Sequence, residues 1–98
     1  MMTPFAVAVL DVVDRIPRGS VLSYGDVAGI VGSGGPRQVA AVMSRHGSEV
    51  AWHRVLRSDG TCAPAVASRQ LPLLRRDRVP LSPDGTRVLM ARARWRCT

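Results

Sequence analysis

The chain has 98 residues and a formal charge of +7, with 46% hydrophobic residues, 4% aromatics and fourteen basic residues that are all arginine. That length supports one modest core, so a single domain over 1–98 is expected. No apolar run approaches the roughly 20 residues of a membrane-spanning helix, and Asp11 and Asp14 fall where a secretory leader stays apolar, so a cytoplasmic protein with no membrane partner is expected. Cys62 and Cys97 make no disulfide framework, and with His46 and His53 they show none of the paired spacing of a zinc site; no metal or cofactor is expected. The choice of arginine over lysine fits codon bias in a GC-rich genome. The net excess is the electrostatic footprint of a nucleic-acid binder, for which arginine supplies planar, bidentate phosphate contacts.

In chain order, Thr3-Pro4 starts a helix with a capping hydroxyl and a proline where the missing N–H costs nothing. Phe5, Val9, Val12 and Ile16 recur at helical spacing, predicting about three turns that end before Pro17. Arg18-Gly19 is a turn and Val21-Leu22 a short extended piece. Ser23-Tyr24-Gly25-Asp26 has the form of a capping box, opening a short helix to Val31 that Gly32 closes. Ser33-Gly34-Gly35 forms a turn, and Pro36 opens a helix to about His46 with Val39, Ala40 and Met43 on one face. Two short helices joined by a glycine-rich turn in a basic chain read as a helix-turn-helix, although such hairpins also occur as plain packing units.

Beyond Trp52-His53-Arg54-Val55-Leu56, Ser58-Asp59-Gly60 marks a tight turn. Ala67 to Arg76 is predicted helical, with Pro72 placing the helix start, or a bend, near itself. Val79 to Leu81 and Arg87 to Met90, around Pro83-Asp84-Gly85, read as two short strands of a wing. The tail Arg92-Ala93-Arg94-Trp95-Arg96 is basic.

Ala51-Trp52-His53-Arg54-Val55 resembles the active-site run Pro-Cys-His-Arg-Val of the O6-alkylguanine-DNA alkyltransferases, with tryptophan at the nucleophile's position. Ile16-Pro17-Arg18-Gly19 through Ser23-Tyr24-Gly25-Asp26-Val27-Ala28 is similar to that family's Ile-Pro-x-Gly, Ser-Tyr-Gly and Ile/Val-Ala pattern in order and spacing. Arg37-Gln38-Val39-Ala40-Ala41-Val42-Met43 resembles its recognition-helix segment, and Leu73-Leu74-Arg75-Arg76-Asp77 its Leu-Leu-x-x-Glu segment. Several motifs in order, over about residues 4 to 80, weigh more than any one. The chain therefore looks like an alkyltransferase-like protein of that family. The fold expected is mainly α with a small β component (α+β), a winged helix-turn-helix-like DNA-binding domain.

The resemblance implies that Tyr24 meets the phosphate beside the target nucleotide and helps rotate it out of the stack, whereas a bare tyrosine there is as readily a half-buried packing residue. It implies that Arg37 enters the duplex to fill the space left by the flipped base, against the bland reading of a solvated surface charge. Gln38, Ala41 and Arg45 on the same helix are then expected at the DNA, by minor-groove entry. Tyr24, Trp52 and Val55 are expected around the lesion, and His53, Arg54 and Asp77 as structural support, Asp77 being one methylene shorter than the family's glutamate. Trp52 cannot accept an alkyl group, so no residue is assigned a catalytic role. The family's Gly-Tyr-rich substrate loop is replaced by Ala63-Pro64-Ala65-Val66.

The function this implies is non-enzymatic: O6-alkylguanine in double-stranded DNA is bound by nucleotide flipping and flagged for nucleotide excision repair proteins. A monomer, nucleoid-associated in a bacterium, is expected. Two alternatives stay open: an active alkyltransferase using Cys62 as a relocated nucleophile, and a winged helix-turn-helix transcription regulator. The second calls for preference among unmodified sequences and a dimer helix that is not evident.

Overall fold

The computed structural model describes residues 1–96; Cys97 lies outside them. Helix α1 (Pro4–Arg15) is capped by the Thr3 hydroxyl, which accepts from the Ala6 N–H at 3.1 Å, and it buries Ala6, Val9, Leu10, Val12 and Val13. It stops where Ile16 turns extended before Pro17. Strand β1 (Leu22–Ser23) runs straight into α2 (Tyr24–Val31). The capping box forms in both directions: Ser23 Oγ accepts from Asp26 N at 3.0 Å, and Asp26 Oδ2 accepts from Ser23 N at 2.9 Å. Gly32 ends the helix in the left-handed region at φ 85°. Helix α3 (Pro36–His46) comes after the glycine turn and buries Val39 and Val42.

Strand β2 (Val55–Leu56) pairs parallel to β1, with Leu22 opposite Val55 and Ser23 opposite Leu56. A parallel pair needs a long crossover, which α2, α3 and the turns after them supply. On the other side of β1, Val21 bridges to Arg94 in parallel sense, with Trp95 N donating to Val21 O at 2.9 Å. This narrow sheet separates two cores. Leu22 and Val55 face the cluster built by α1, α2 and α3, while Val21 and Leu56 face a second cluster with Cys62, Leu74, Val79, Val88 and Ala93.

Helix α4 (Ala67–Arg76) has the predicted span, and the start near Pro72 is corrected, since Pro72 lies in its interior. Pro72 and Ser68, whose carbonyl loses its helical donor, are both exposed, so water can take the vacated bond. The wing contracts to one antiparallel bridge, Leu81 with Val88. Val79 N is spent on Leu74 O at 3.1 Å in the helix C-cap, and Pro80 has no N–H, so too few donors remain for a ladder. Met90 begins a short helix α5 (Met90–Ala93) where a strand end was expected. The C-cap of α4 also holds Arg78 at φ 61°, a left-handed position that usually takes glycine. The architecture is α+β and mainly helical, as expected.

Candidate nucleic-acid interface

Helix α3 presents a polar, cationic stripe. Val39 and Val42 point into the core, which leaves Arg37, Gln38, Ala41, Ser44 and Arg45, spaced three and four apart, on the exposed side. Arg37 stands in the first turn, where the helix dipole opposes a cation, and the structure places it in solvent. Gln38 has a duty that its motif does not reveal: its Oε1 accepts from Gly35 N at 2.9 Å and caps the helix that Gly35 cannot cap itself. The signal for it is Gly35 followed three residues later by glutamine.

Beside this stripe lies a cavity of about 390 Å³, walled by Tyr24 from α2, Ala40 and Met43 from α3, Trp52 from the 3₁₀ turn Trp52–Arg54, Val66, and Arg69 from α4. Its size falls in the roughly 300–1,000 Å³ range of small-molecule sites. Tyr24 is the first residue of α2, so the capping box fixes its position directly. Burial pushes its phenol pKa up, against a lowering by the nearby Arg57 charge. Trp52 is half-buried, and Arg69 holds its guanidinium carbon 5.7 Å from the indole centroid, within cation–π range. Gly47 lets the Trp52 turn close on α3: a Cβ there would stand 3.2 Å from Met43 Cε and 3.4 Å from Trp52 Cβ.

Behind Trp52, Asp77 gathers the supporting residues. His53 Nε2 lies 2.8 Å and Arg54 Nε 2.9 Å from Asp77 Oδ2, and Arg18 approaches Oδ1 at 3.6 Å. An ionised carboxylate can only accept, so His53 Nε2 carries the hydrogen. Burial pushes the Asp77 carboxyl up, but the hydrogen bonds and charges of Arg54 and His53 outweigh it and hold it below the usual range. Arg54 Nη1 also donates to Ile16 O at 2.9 Å, tying this turn to the end of α1. The shorter aspartate therefore reaches the histidine.

Gln70, which no sequence motif singles out, is nearly fully buried on α4 and donates to His53 O at 3.0 Å and Val55 O at 2.9 Å. Its one signal is a position four residues before the buried Leu74, on the inward face. Val55, expected around the lesion, is instead 1% exposed in the first core and does not line the cavity; a strand residue opposite Leu22 has its side chain committed to that core. Cys62 is buried in the second core and is not part of the cavity wall. Burial raises its thiol pKa, only partly offset by Arg57, which leaves little thiolate for attack.

Residues 4–79 match the family described as 6-O-methylguanine DNA methyltransferase, DNA binding domain. The chain belongs to this family. Within it, the chain is 48% identical over 60 residues to a methylated-DNA–protein-cysteine methyltransferase of Methanothermobacter thermautotrophicus, covering 59% of this chain and 34% of that protein. It is 40% identical over 87 residues to the DNA base-flipping protein of Escherichia coli K12, covering 86% of this chain and 64% of that one. The chain thus spans about a third of the first relative's length and just under two thirds of the second's. Among solved structures, it superposes on S. pombe Atl1 in complex with damaged DNA containing O6-carboxymethylguanine, with TM-score 0.83, 31% identity and 98% of both chains covered. A second S. pombe structure, of ATL in complex with DNA, gives TM-score 0.80 at 31% identity and 98% coverage of both. The family and fold read from the motifs agree with these similarities.

Proposed function

We propose that this protein binds O6-alkylguanine in duplex DNA by rotating the damaged nucleotide out of the stack, and retains it without removing the alkyl group. The observation that carries this reading is the wall of the cavity beside α3: Tyr24 and the Trp52 indole line it, and the buried Cys62 does not. Flipping needs a group at the backbone, a group to fill the gap and a receptacle for the base. Tyr24 serves as the first, Arg37 as the second, and the cavity bordered by Trp52 and Arg69 as the third. Gln38, Ala41 and Arg45 share the exposed stripe of Arg37 and lie against the groove, and His53, Arg54 and Asp77 hold the Trp52 turn in place. The similarity to Atl1 bound to an O6-carboxymethylguanine duplex supports the lesion class, and the base-flipping relative supports the mode.

An indole accepts no alkyl group, so the lesion leaves this site unchanged, and its removal falls to other proteins, those of nucleotide excision repair in this reading. The protein acts as a monomer in the cytoplasm, on the nucleoid in a bacterium. The test pairs binding to matched duplexes carrying guanine or O6-methylguanine with mass spectrometry of the protein afterwards. Tighter lesion binding at unchanged protein mass supports the proposal. A gain of one methyl group would restore Cys62 as a nucleophile, and indifference to the lesion would favour a sequence-reading regulator.

A further inference from the structure

The two strands of the sheet end side by side, and the residues just past their ends emerge at the same edge. Leu22 pairs with Val55 and Ser23 with Leu56, and Tyr24 and Arg57 are the next residue of each chain, so both leave the sheet at the same end, Tyr24 into α2 and Arg57 into the turn after β2. Arg57 is exposed, and its backbone is held by the turn after β2: its N–H donates to Thr61 O at 3.2 Å and its carbonyl accepts from Gly60 N at 2.9 Å. The side chain has no hydrogen bond within that turn, although its charge helps to hold the Asp59 carboxyl low. Among the described residues the ion pairs take up Arg15, Arg18, Arg54 and Arg94, and Arg57 has none. The nearest acid in sequence, Asp59, already spends Oδ1 on the Thr61 N–H at 3.0 Å and the Thr61 hydroxyl at 2.7 Å.

From this register we infer that Arg57 is the second half of a backbone clamp, binding a phosphate next to the extruded nucleotide while Tyr24 occupies the other side of it, an assignment that rests on the proposed extrusion of the lesion. In keeping with that placement, the Arg57 charge opposes the upward push of burial on both the Tyr24 phenol and the Cys62 thiol. A guanidinium at this spot does two things a tyrosine alone cannot. It neutralises the phosphate that rotation of the nucleotide drives toward the protein, and it holds it with two parallel N–H donors. Arg37 acts from α3 and fills the stack, whereas Arg57 acts from the end of β2 and fixes the strand.

The test uses the full chain and matched duplexes carrying guanine or O6-methylguanine. Arg57→Ala should weaken lesion binding about tenfold, the worth of one charge-assisted phosphate contact, and flatten the dependence of log K on log salt by about 0.9. Plain duplex, in which no nucleotide is rotated, should lose no more than about threefold. Arg57→Lys, which keeps the charge and loses the fork, should fall between. A lesion duplex with a neutral methylphosphonate at one of the two flanking phosphates should weaken the wild-type protein by the same factor and leave the alanine variant no weaker, as two halves of one contact require. Equal losses on both duplexes, or losses that multiply at every phosphate tested, would overturn the clamp. If the wild-type protein itself ignores the lesion, the extrusion reading fails and the clamp with it; if the wild type discriminates and the alanine variant does so equally well, only the clamp fails.

Discussion

Trp52 and Arg69 meet at the wall of the cavity, the guanidinium carbon standing 5.7 Å from the indole centroid. Each comes from a different element, Trp52 from a 3₁₀ turn and Arg69 from α4, and Gln70 pins the two together through the carbonyls of His53 and Val55. The indole and the cation over it form the wall that the proposed flipped purine would meet. Base-on-aromatic contacts are worth roughly 1–3 kcal/mol by alanine substitution, so Trp52→Ala should reduce the preference for O6-methylguanine over guanine by about tenfold while leaving plain-duplex binding nearly unchanged. Competition titrations with the two duplexes measure this directly. A uniform loss on both would mean that the indole serves the fold and not the pocket.

Arg37 and Arg45 share the exposed stripe of α3 at opposite ends, and the proposed flipping mechanism assigns them different work. Arg37→Ala should cost lesion binding about 10–100-fold, because the unstacking penalty of a few kcal/mol is no longer offset by a group in the gap. Arg45→Ala should weaken all duplexes alike and lower the salt slope by about one. Fluorescence anisotropy across a salt series separates the two patterns. Equal loss on lesion and plain DNA for Arg37→Ala would remove it from the stack.

How much of the fold is legible in the sequence depends on how local each signal is. The capping box at Ser23 and Asp26, the proline starts at Pro4 and Pro36, and the glycine stop at Gly32 are decided within four residues, and all form as expected. The motifs that carry the family resemblance likewise point to Tyr24, Trp52 and Asp77 without knowledge of the fold. Misreadings arise where distant partners decide. Val55 reads as a lesion neighbour because it closely succeeds Trp52, but its pairing with Leu22 turns it into the core. The wing loses its ladder because Val79 answers to the carbonyl of Leu74, a helix-cap bond invisible in strand propensity. Gln70 and Arg57 belong to no motif; only the packing of α4 shows the carbonyls that Gln70 meets, and only the pairing of β1 with β2 brings Arg57 to the end of the sheet where Tyr24 begins α2.

Asp77 should make the Trp52 turn sensitive to acid. Its folded pKa lies below the unfolded value, since Arg54 and His53 together outweigh the upward push of burial. The stability it contributes is therefore complete above the unfolded pKa of about 3.9 and is lost as pH falls through the folded value. Asp77→Asn leaves Arg54 and His53 facing a neutral amide, and should lower stability near neutral pH by about 2 kcal/mol. The gap from the wild type should close as the medium is acidified below about pH 4. Urea midpoints of both proteins over that range provide the check, and a gap that persists undiminished at the acid end would show that the carboxylate charge is not what holds the turn.

Pro72 offers a test in the opposite direction. It sits inside α4, withholding the N–H that the Ser68 carbonyl would accept, with both residues on the exposed side. An interior proline costs about 3 kcal/mol relative to alanine when nothing compensates. Here water can reach the vacated carbonyl, and the stiffer unfolded chain returns roughly 0.4–1 kcal/mol. Pro72→Ala should thus stabilise the protein by about 1–2 kcal/mol, raising Tm by roughly 4–8 °C for each kcal/mol in a chain of this size. Because Gln70 makes its contacts through the face of α4 turned away from Pro72, and Arg69 reaches Trp52 with the end of a long side chain, lesion preference should not change. A lower Tm in calorimetry would mean that the helix depends on a bend at Pro72. A changed lesion preference at higher Tm would mean that the same bend sets the distance between Arg69 and Trp52.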